Sequence, residues 1–190
     1  MKILVLDNYD SFTYNLVHML RELGYGPQLE VFRNDKISLE QVDAYQKILL
    51  SPGPGIPNEA GIMQDLIRQY GPTKSILGIC LGHQGIAEVY GASLYNMKQV
   101  LHGISSEVML SDENELLFRG LPKETSVGRY HSWAVVPESV NGDLKVTARD
   151  MHQEVMGLRH RKYDVAGLQF HPESVLTVNG KQMILNWMNN

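Results

Sequence analysis

Cys80 is the one cysteine of this chain, and it stands in the segment Gly78-Ile79-Cys80-Leu81-Gly82. A nucleophile flanked by glycines two positions before and two after fits the elbow in which a strand turns abruptly into a helix. The spacing has a physical reason. A residue on so tight a turn has a strained backbone, and the glycines let strand and helix approach closely. The thiol then projects at a helix N-terminus, where the dipole and the free N–H groups stabilise a thiolate. The N–H of Leu81 faces the same space and could hold an oxyanion. The competing reading is that a lone cysteine is a small buried hydrophobe. The paired glycines and the strand-to-helix context favour nucleophilic chemistry over it.

His171-Pro172-Glu173 is the second constellation. On an extended backbone residues two apart share a face, which would set Glu173 behind the imidazole of His171. A carboxylate there fixes the tautomer and stabilises the imidazolium. The same triplet is also what a solvated strand end looks like. A metal site has less support, because His18, His83, His102, His131, His152 and His160 show no ligand spacing. The third segment is Ser51-Pro52-Gly53-Pro54-Gly55. It lacks the third glycine of a dinucleotide fingerprint and the Gly-Lys-Ser/Thr of a phosphate loop. Its prolines make it stiff, as a preformed oxyanion donor must be, and it could equally be a rigid turn.

These segments need elements to hold them. Ile3–Leu6, Lys47–Leu50, Ser75–Ile79 and Val165–Phe170 are short continuous apolar runs, the pattern of strands buried on both faces. Leu29–Phe32 reads as another strand. Tyr14, Leu16, Val17, Leu20 and Leu23 have helical spacing and stop at Gly24. Helices are predicted over Ser38–Tyr45, with Ser38 as N-cap and Gln41 three residues on, over Gly61–Tyr70, from Leu81 to Tyr90, and over Gly180–Met188. Strands alternating with helices through the first 91 residues imply βαβ units and an α/β fold, with a mostly parallel sheet and helices on both faces. Ligands of such sheets bind beyond the carboxyl ends of the strands, where Ser51–Gly55 and Cys80 fall. The second half changes character. Glu107–Leu110, Ala134–Val136, Lys145–Ala148 and Val155–Leu158 are short runs between turn residues, read as strands, some antiparallel. The basic triplet His160-Arg161-Lys162 reads as a solvated turn.

The bulk composition excludes several classes. The 190 residues suit one domain, 1–190, and 43% hydrophobic residues can build a core. Seventeen basic and 21 acidic side chains give a net charge of −4, without the basic patch that nucleic acid requires. A single cysteine rules out an internal disulfide scaffold. The opening apolar run ends at Asp7, too short for a signal peptide, and no stretch nears the roughly 20 apolar residues of a membrane span. A cytoplasmic protein with no membrane partner is expected.

Together the segments resemble the class I, or triad, glutamine amidotransferases. Gly78-Ile79-Cys80-Leu81-Gly82-His83-Gln84 resembles their nucleophile motif, His171-Pro172-Glu173 their His-Pro-Glu motif, and Ser51–Gly55 their oxyanion strand. Asp7-Asn8-Tyr9-Asp10-Ser11-Phe12-Thr13-Tyr14-Asn15 and Arg129-Tyr130-His131-Ser132 resemble a subfamily, the amidotransferase components of anthranilate and aminodeoxychorismate synthases. The resemblance spans nearly the whole chain. It implies Cys80 as nucleophile, His171 as base and acid, and Glu173 as its orienter. It implies an oxyanion hole from the N–H groups of Gly53 and Leu81 within the Gly53-Pro54-Gly55 turn and the elbow. Gln84 and the backbone of Ser132 and Trp133 would hold L-glutamine. Trp133 departs from the pattern, which usually has leucine there. The resemblance further implies ammonia delivery to a chorismate-using synthase subunit in a heteromer, for tryptophan or folate synthesis, with no cofactor or metal in this subunit. The alternatives are a cysteine peptidase or related hydrolase on the same elbow, and a regulatory subunit with a vestigial site.

Overall fold

The computed structural model describes residues 1–98, 100–112 and 114–190. In chain order the strands are β1 (Ile3–Asp7), β2 (Leu29–Arg33), β3 (Lys47–Leu50), β4 (Ser75–Ile79), β5 (Leu94–Asn96), β6 (Ile104–Leu110), β7 (Glu124–Arg129), β8 (Trp133–Val135), β9 (Leu144–Asp150), β10 (Val155–His160) and β11 (Val165–Leu168). The helices are α1 (Thr13–Glu22), α2 (Leu39–Val42), α3 (Met63–Tyr70), α4 (Leu81–Val89) and α5 (Gly180–Met188).

One nine-stranded sheet runs in the order β2-β1-β3-β4-β11-β10-β9-β6-β7. The half from β2 to β11 is parallel. From β10 outward the pairing is antiparallel. β5 and β8 form a separate two-stranded ribbon. The expected α/β class is what the chain adopts, with the antiparallel strands in its second half.

Alternation along β1 shows how the sheet is covered. Ile3 and Val5 pack with Leu16, Val17 and Leu20 of α1 and with Met183, Ile184 and Trp187 of α5. Leu4 and Leu6 point the other way, to Met63, Leu66 and Ile67 of α3 and Ile86 of α4. A continuous apolar run was therefore the correct signature of a strand covered on both faces. Each of these fully buried aliphatic side chains contributes about 1.5–3 kcal/mol.

Helix ends follow local rules. Ser38 and Gln41 form the expected capping box, but α2 is a single turn and stops well before Tyr45. Gly24, at φ 92°, follows α1 and supplies the left-handed conformation that ends it. The triplet at 160–162 differs from expectation at its first residue. His160 closes β10, is buried, and stacks on Tyr163 at 4.2 Å, so only Arg161 and Lys162 are solvated.

The topology decides the site. β3, β4 and β11 are adjacent and parallel, so their carboxyl ends share one edge. Ser51–Gly55 leaves β3 there, Cys80 leaves β4, and the segment leading to His171 leaves β11.

Candidate active site

Cys80 has φ 51° and ψ −98°, a conformation L-residues avoid. Two contacts hold it there. Its N–H donates to Leu168 O at 2.8 Å, extending the β4–β11 ladder, and its carbonyl accepts the first α4 bond, from Gln84 N, at 3.0 Å. The N–H groups of Leu81, Gly82 and His83 lie in the first turn, where no helical acceptor exists. The glycines work as the spacing predicts. A Cβ on Gly78 would lie 2.4 Å from the Gly82 carbonyl carbon, and one on Gly82 would lie 2.7 Å from Leu50 Cβ and Leu50 O. A Cβ on Gly53 would lie 2.6 Å from Asn8 O and 2.7 Å from Leu81 Cδ2, so that turn also lies hard against the elbow.

Stability should be sensitive to this contact. Gly78→Ala drives a methyl into helix backbone that cannot move without opening the elbow. It should cost about 3 kcal/mol or more, read as a melting temperature lowered by roughly 6–12 °C. An unshifted melting curve would show that strand and helix are not in this close contact.

The imidazole of His171 is almost completely buried, and its Nδ1 lies 2.7 Å from Glu173 Oε1. The pairing anticipated from sequence is present, but its cause is different. β11 ends at Leu168, and the chain bends at Gln169 and Phe170. His171 N then donates to Gly128 O at 3.0 Å, and Ser174 N donates to His171 O at 3.2 Å. His171 to Ser174 is thus a β-turn with Pro172 at the position where its fixed φ fits. Turn geometry, not an extended backbone, folds the Glu173 carboxylate back onto the ring.

The electrostatics of His171 have opposing parts. Burial is the largest influence and pulls its pKa down. The neighbouring Cys80 sulfur and the Glu173 carboxylate outweigh burial and raise it well above the usual imidazole range. With Glu173 on Nδ1, that nitrogen carries a proton. Nε2 is buried and has no hydrogen-bond partner of normal geometry among the described residues. Tyr130 packs on the ring at 4.9 Å and Phe12 meets its edge at 6.1 Å, so two aromatic rings shield it.

A cavity of about 210 Å³ opens in front of Cys80. Its walls are Gly53, Pro54 and Gly55 on one side, Cys80 and Gln84 below, and Tyr130, His131, Ser132 and Trp133 on the other. Of the candidates from sequence, His171 and Glu173 do not line it; Tyr130, which does, packs on the His171 ring. The Leu81 side chain lines a neighbouring cleft of about 420 Å³ with Asn8 and Tyr9. Both carbonyls of the Ser132–Trp133 turn are already occupied. Ser132 O accepts from Met97 N at 2.8 Å, and Trp133 O accepts from Gln84 Nε2 at 2.9 Å and binds His131 Nδ1 at 2.9 Å.

Gln169, which no motif singled out, and Arg129 and His131, both within the Arg129–Ser132 motif, complete the surroundings. Gln169 is fully buried, with Nε2 3.6 Å from Cys80 Sγ and Oε1 3.2 Å from Gln84 Nε2. Arg129 Nε donates to His131 Nε2 at 3.2 Å, and Arg129 Nη1 is 2.6 Å from Asp150 Oδ2. Burial, then the adjacent Arg129 charge, pulls His131 down to about 4, so the ring is neutral. The sequence held one signal for Gln169: it is a polar residue within the apolar run Val165–Phe170 that leads to His171.

The chain matches the family model Glutamine amidotransferase class-I over residues 4–190. It is 45% identical to aminodeoxychorismate synthase component 2 of Escherichia coli (strain K12) over 188 residues, covering 98% of each chain. It is 42% identical to anthranilate synthase component 2 of Pseudomonas aeruginosa, over 98% of this chain and 94% of that one. A solved structure from Thermoplasma acidophilum, described as a GMP synthase protein, superposes with a TM-score of 0.88 at 30% identity, covering 100% of this chain and 92% of that one. With the elbow at Cys80, the His171–Glu173 pair beside it and a family match that runs almost from end to end, the chain belongs to the class-I glutamine amidotransferases.

Proposed function

We propose that this chain is the glutaminase component of a chorismate-using synthase, and that Cys80, His171 and Glu173 are its catalytic triad. The observation that carries the reading is the strained elbow, which presents the Cys80 thiol beside a buried imidazole held by a carboxylate at 2.7 Å. The thiolate attacks the side-chain amide carbon of L-glutamine. The oxyanion that forms rests on the N–H groups of Gly53 and Leu81, each worth about 3 kcal/mol. His171 gives its proton to the departing ammonia, and a glutamyl thioester remains. His171 then takes a proton from water, whose attack releases glutamate and the thiolate. Glu173 holds the imidazolium throughout.

Substrate recognition follows from which polar groups are unoccupied. Both N–H bonds of the Gln84 amide are used by Trp133 O and Gln169 Oε1, so its Oε1 is the group offered to substrate, and it suits the α-ammonium of glutamine. At Ser132 and Trp133 both carbonyls already accept hydrogen bonds within the protein, and it is the N–H groups there that suit the α-carboxylate. Trp133 acts here through its backbone, and the exchange of leucine for tryptophan leaves that contact intact. These steps need no metal or cofactor.

The relatives named as component 2 of anthranilate and aminodeoxychorismate synthases support a partner, component 1; in our reading it receives the ammonia within a cytoplasmic heteromer. Ammonia that escapes to water is protonated and lost as a nucleophile, so an enclosed path is favoured. Uncoupled hydrolysis wastes glutamine. A partner that binds only the aligned site shifts the population toward it. The surfaces beside the cavity, Tyr9–Phe12 and Tyr130–Trp133, are where it would bind. The steady-state glutaminase rate should rise about 5–150-fold when purified component 1 and chorismate are added. Full activity of the isolated chain, unmoved by either synthase partner, would defeat the coupling while leaving the triad standing.

A further inference from the structure

We infer that Gln169 belongs to the reacting centre: its buried carboxamide donates to the Cys80 sulfur and accepts from Gln84, tying the nucleophile and the substrate-reading amide into one fixed arrangement. The inference rests on Cys80 being the nucleophile.

The atoms of a glutamine amide are distinguished by their partners. Here a backbone carbonyl settles the whole chain of bonds. Trp133 O can only accept, so the Gln84 atom 2.9 Å from it is Nε2, a donor. That same Nε2 lies 3.2 Å from Gln169, so the Gln169 atom facing it is the acceptor Oε1. The remaining Gln169 atom, 3.6 Å from Cys80 Sγ, is therefore the donor Nε2. The other end is fixed as firmly. Arg129 Nε can only donate, so His131 Nε2 is the acceptor and His131 Nδ1–H points at Trp133 O. Every proton from Arg129 to the sulfur then has one position. Gln169 has no access to water, so neither of its polar ends has an alternative partner outside the site.

The chemistry sets what this bond does. A donor on sulfur favours the thiolate before attack. It weakens as the C–S bond forms and the charge passes to the oxyanion. It returns when the thioester collapses and the thiolate leaves. Gln169 thus governs the fraction of enzyme in the reactive form and the departure of sulfur, and through Gln84 it governs the placing of substrate.

Gln169→Met keeps the volume and removes both polar ends. Gln169→Glu keeps the shape and sets a carboxylate against the thiolate. The rate of Cys80 alkylation by iodoacetamide, followed from pH 5 to 10, reads the thiolate directly. Gln169→Met should alkylate about tenfold more slowly below the midpoint and approach the wild-type rate above it, which is a midpoint raised by roughly one unit. Gln169→Glu should move the midpoint further in the same direction. KM for glutamine should rise several-fold in Gln169→Met, as Gln84 loses its acceptor. Circular dichroism and melting of both variants separate these effects from misfolding, and Gln169→Leu, which adds no buried charge, stands in if the methionine variant does not fold. Wild-type alkylation profiles in folded variants would overturn the inference. Cys80→Ala run alongside distinguishes the two failures: an alanine variant that still hydrolyses glutamine removes the nucleophile assignment, whereas an inactive one beside unmoved Gln169 profiles removes Gln169 alone.

Discussion

Cys80→Ala should lose glutamine-dependent product formation by roughly 10⁴-fold or more, while the partner synthase continues with added ammonia. The size follows from the chemistry. No other thiol exists in the chain, so no second nucleophile of the same kind can replace it. Removing one member of a nucleophile–base unit typically costs nearly as much as removing all of them. The substitution deletes one sulfur atom at a site already holding its backbone strain, so the fold should survive. Ammonia-dependent synthesis is the control that separates lost chemistry from lost assembly. A variant that keeps glutamine-dependent activity would remove the elbow from the mechanism.

His171→Ala should fall nearly as far, because one imidazole serves both proton transfers. The loss is compounded in the ground state. Without the imidazolium, the thiolate loses its neighbouring cation in a site where little water reaches. Glu173→Gln should be milder, roughly 10–10²-fold. The amide preserves the shape of the His171–Ser174 turn and can still accept from Nδ1, but it does not compensate the charge on the ring. Because the residues act as one unit, a Cys80–His171 double variant should be little worse than either single. Steady-state glutaminase kinetics on the four enzymes test this set. A His171→Ala enzyme with wild-type turnover would contradict it.

The parts legible in sequence share one property: local pattern and tertiary environment agree. Strands β1, β3, β4 and β11 lie between two helical layers, so their continuous apolar runs announced them. α4 and α5 begin where the glycine and apolar spacing said they would. β5 and β7 gave no such signal. β5 is three residues in a two-stranded ribbon, and β7, Glu-Thr-Ser-Val-Gly-Arg, has a weak apolar pattern near the sheet edge. The elbow was legible because a backbone constraint demands glycine at particular positions. The geometry at His171 was anticipated in its result and mistaken in its cause, since proline in a turn and proline in a strand end look alike in sequence. Gln169 showed only as a polar residue within an apolar run, and the motif that contains His131 did not show that its ring is neutral. The role of Gln169 depends on Cys80, distant in the chain, which only the folded sheet brings to it; His131 meets Arg129 two residues away, but the burial that keeps it neutral comes from the fold.

The most direct test is covalent trapping. A glutamine-analogue electrophile enters only a site built for glutamine and marks the atom that attacks. Incubated with the complex of this chain and its partner and then mapped by peptide mass spectrometry, it should label one residue per chain, Cys80, with loss of glutaminase activity in step with labelling and protection by glutamine. Inactivation with the label on any other residue, or a labelled Cys80 in an enzyme that still turns over glutamine, would contradict the account.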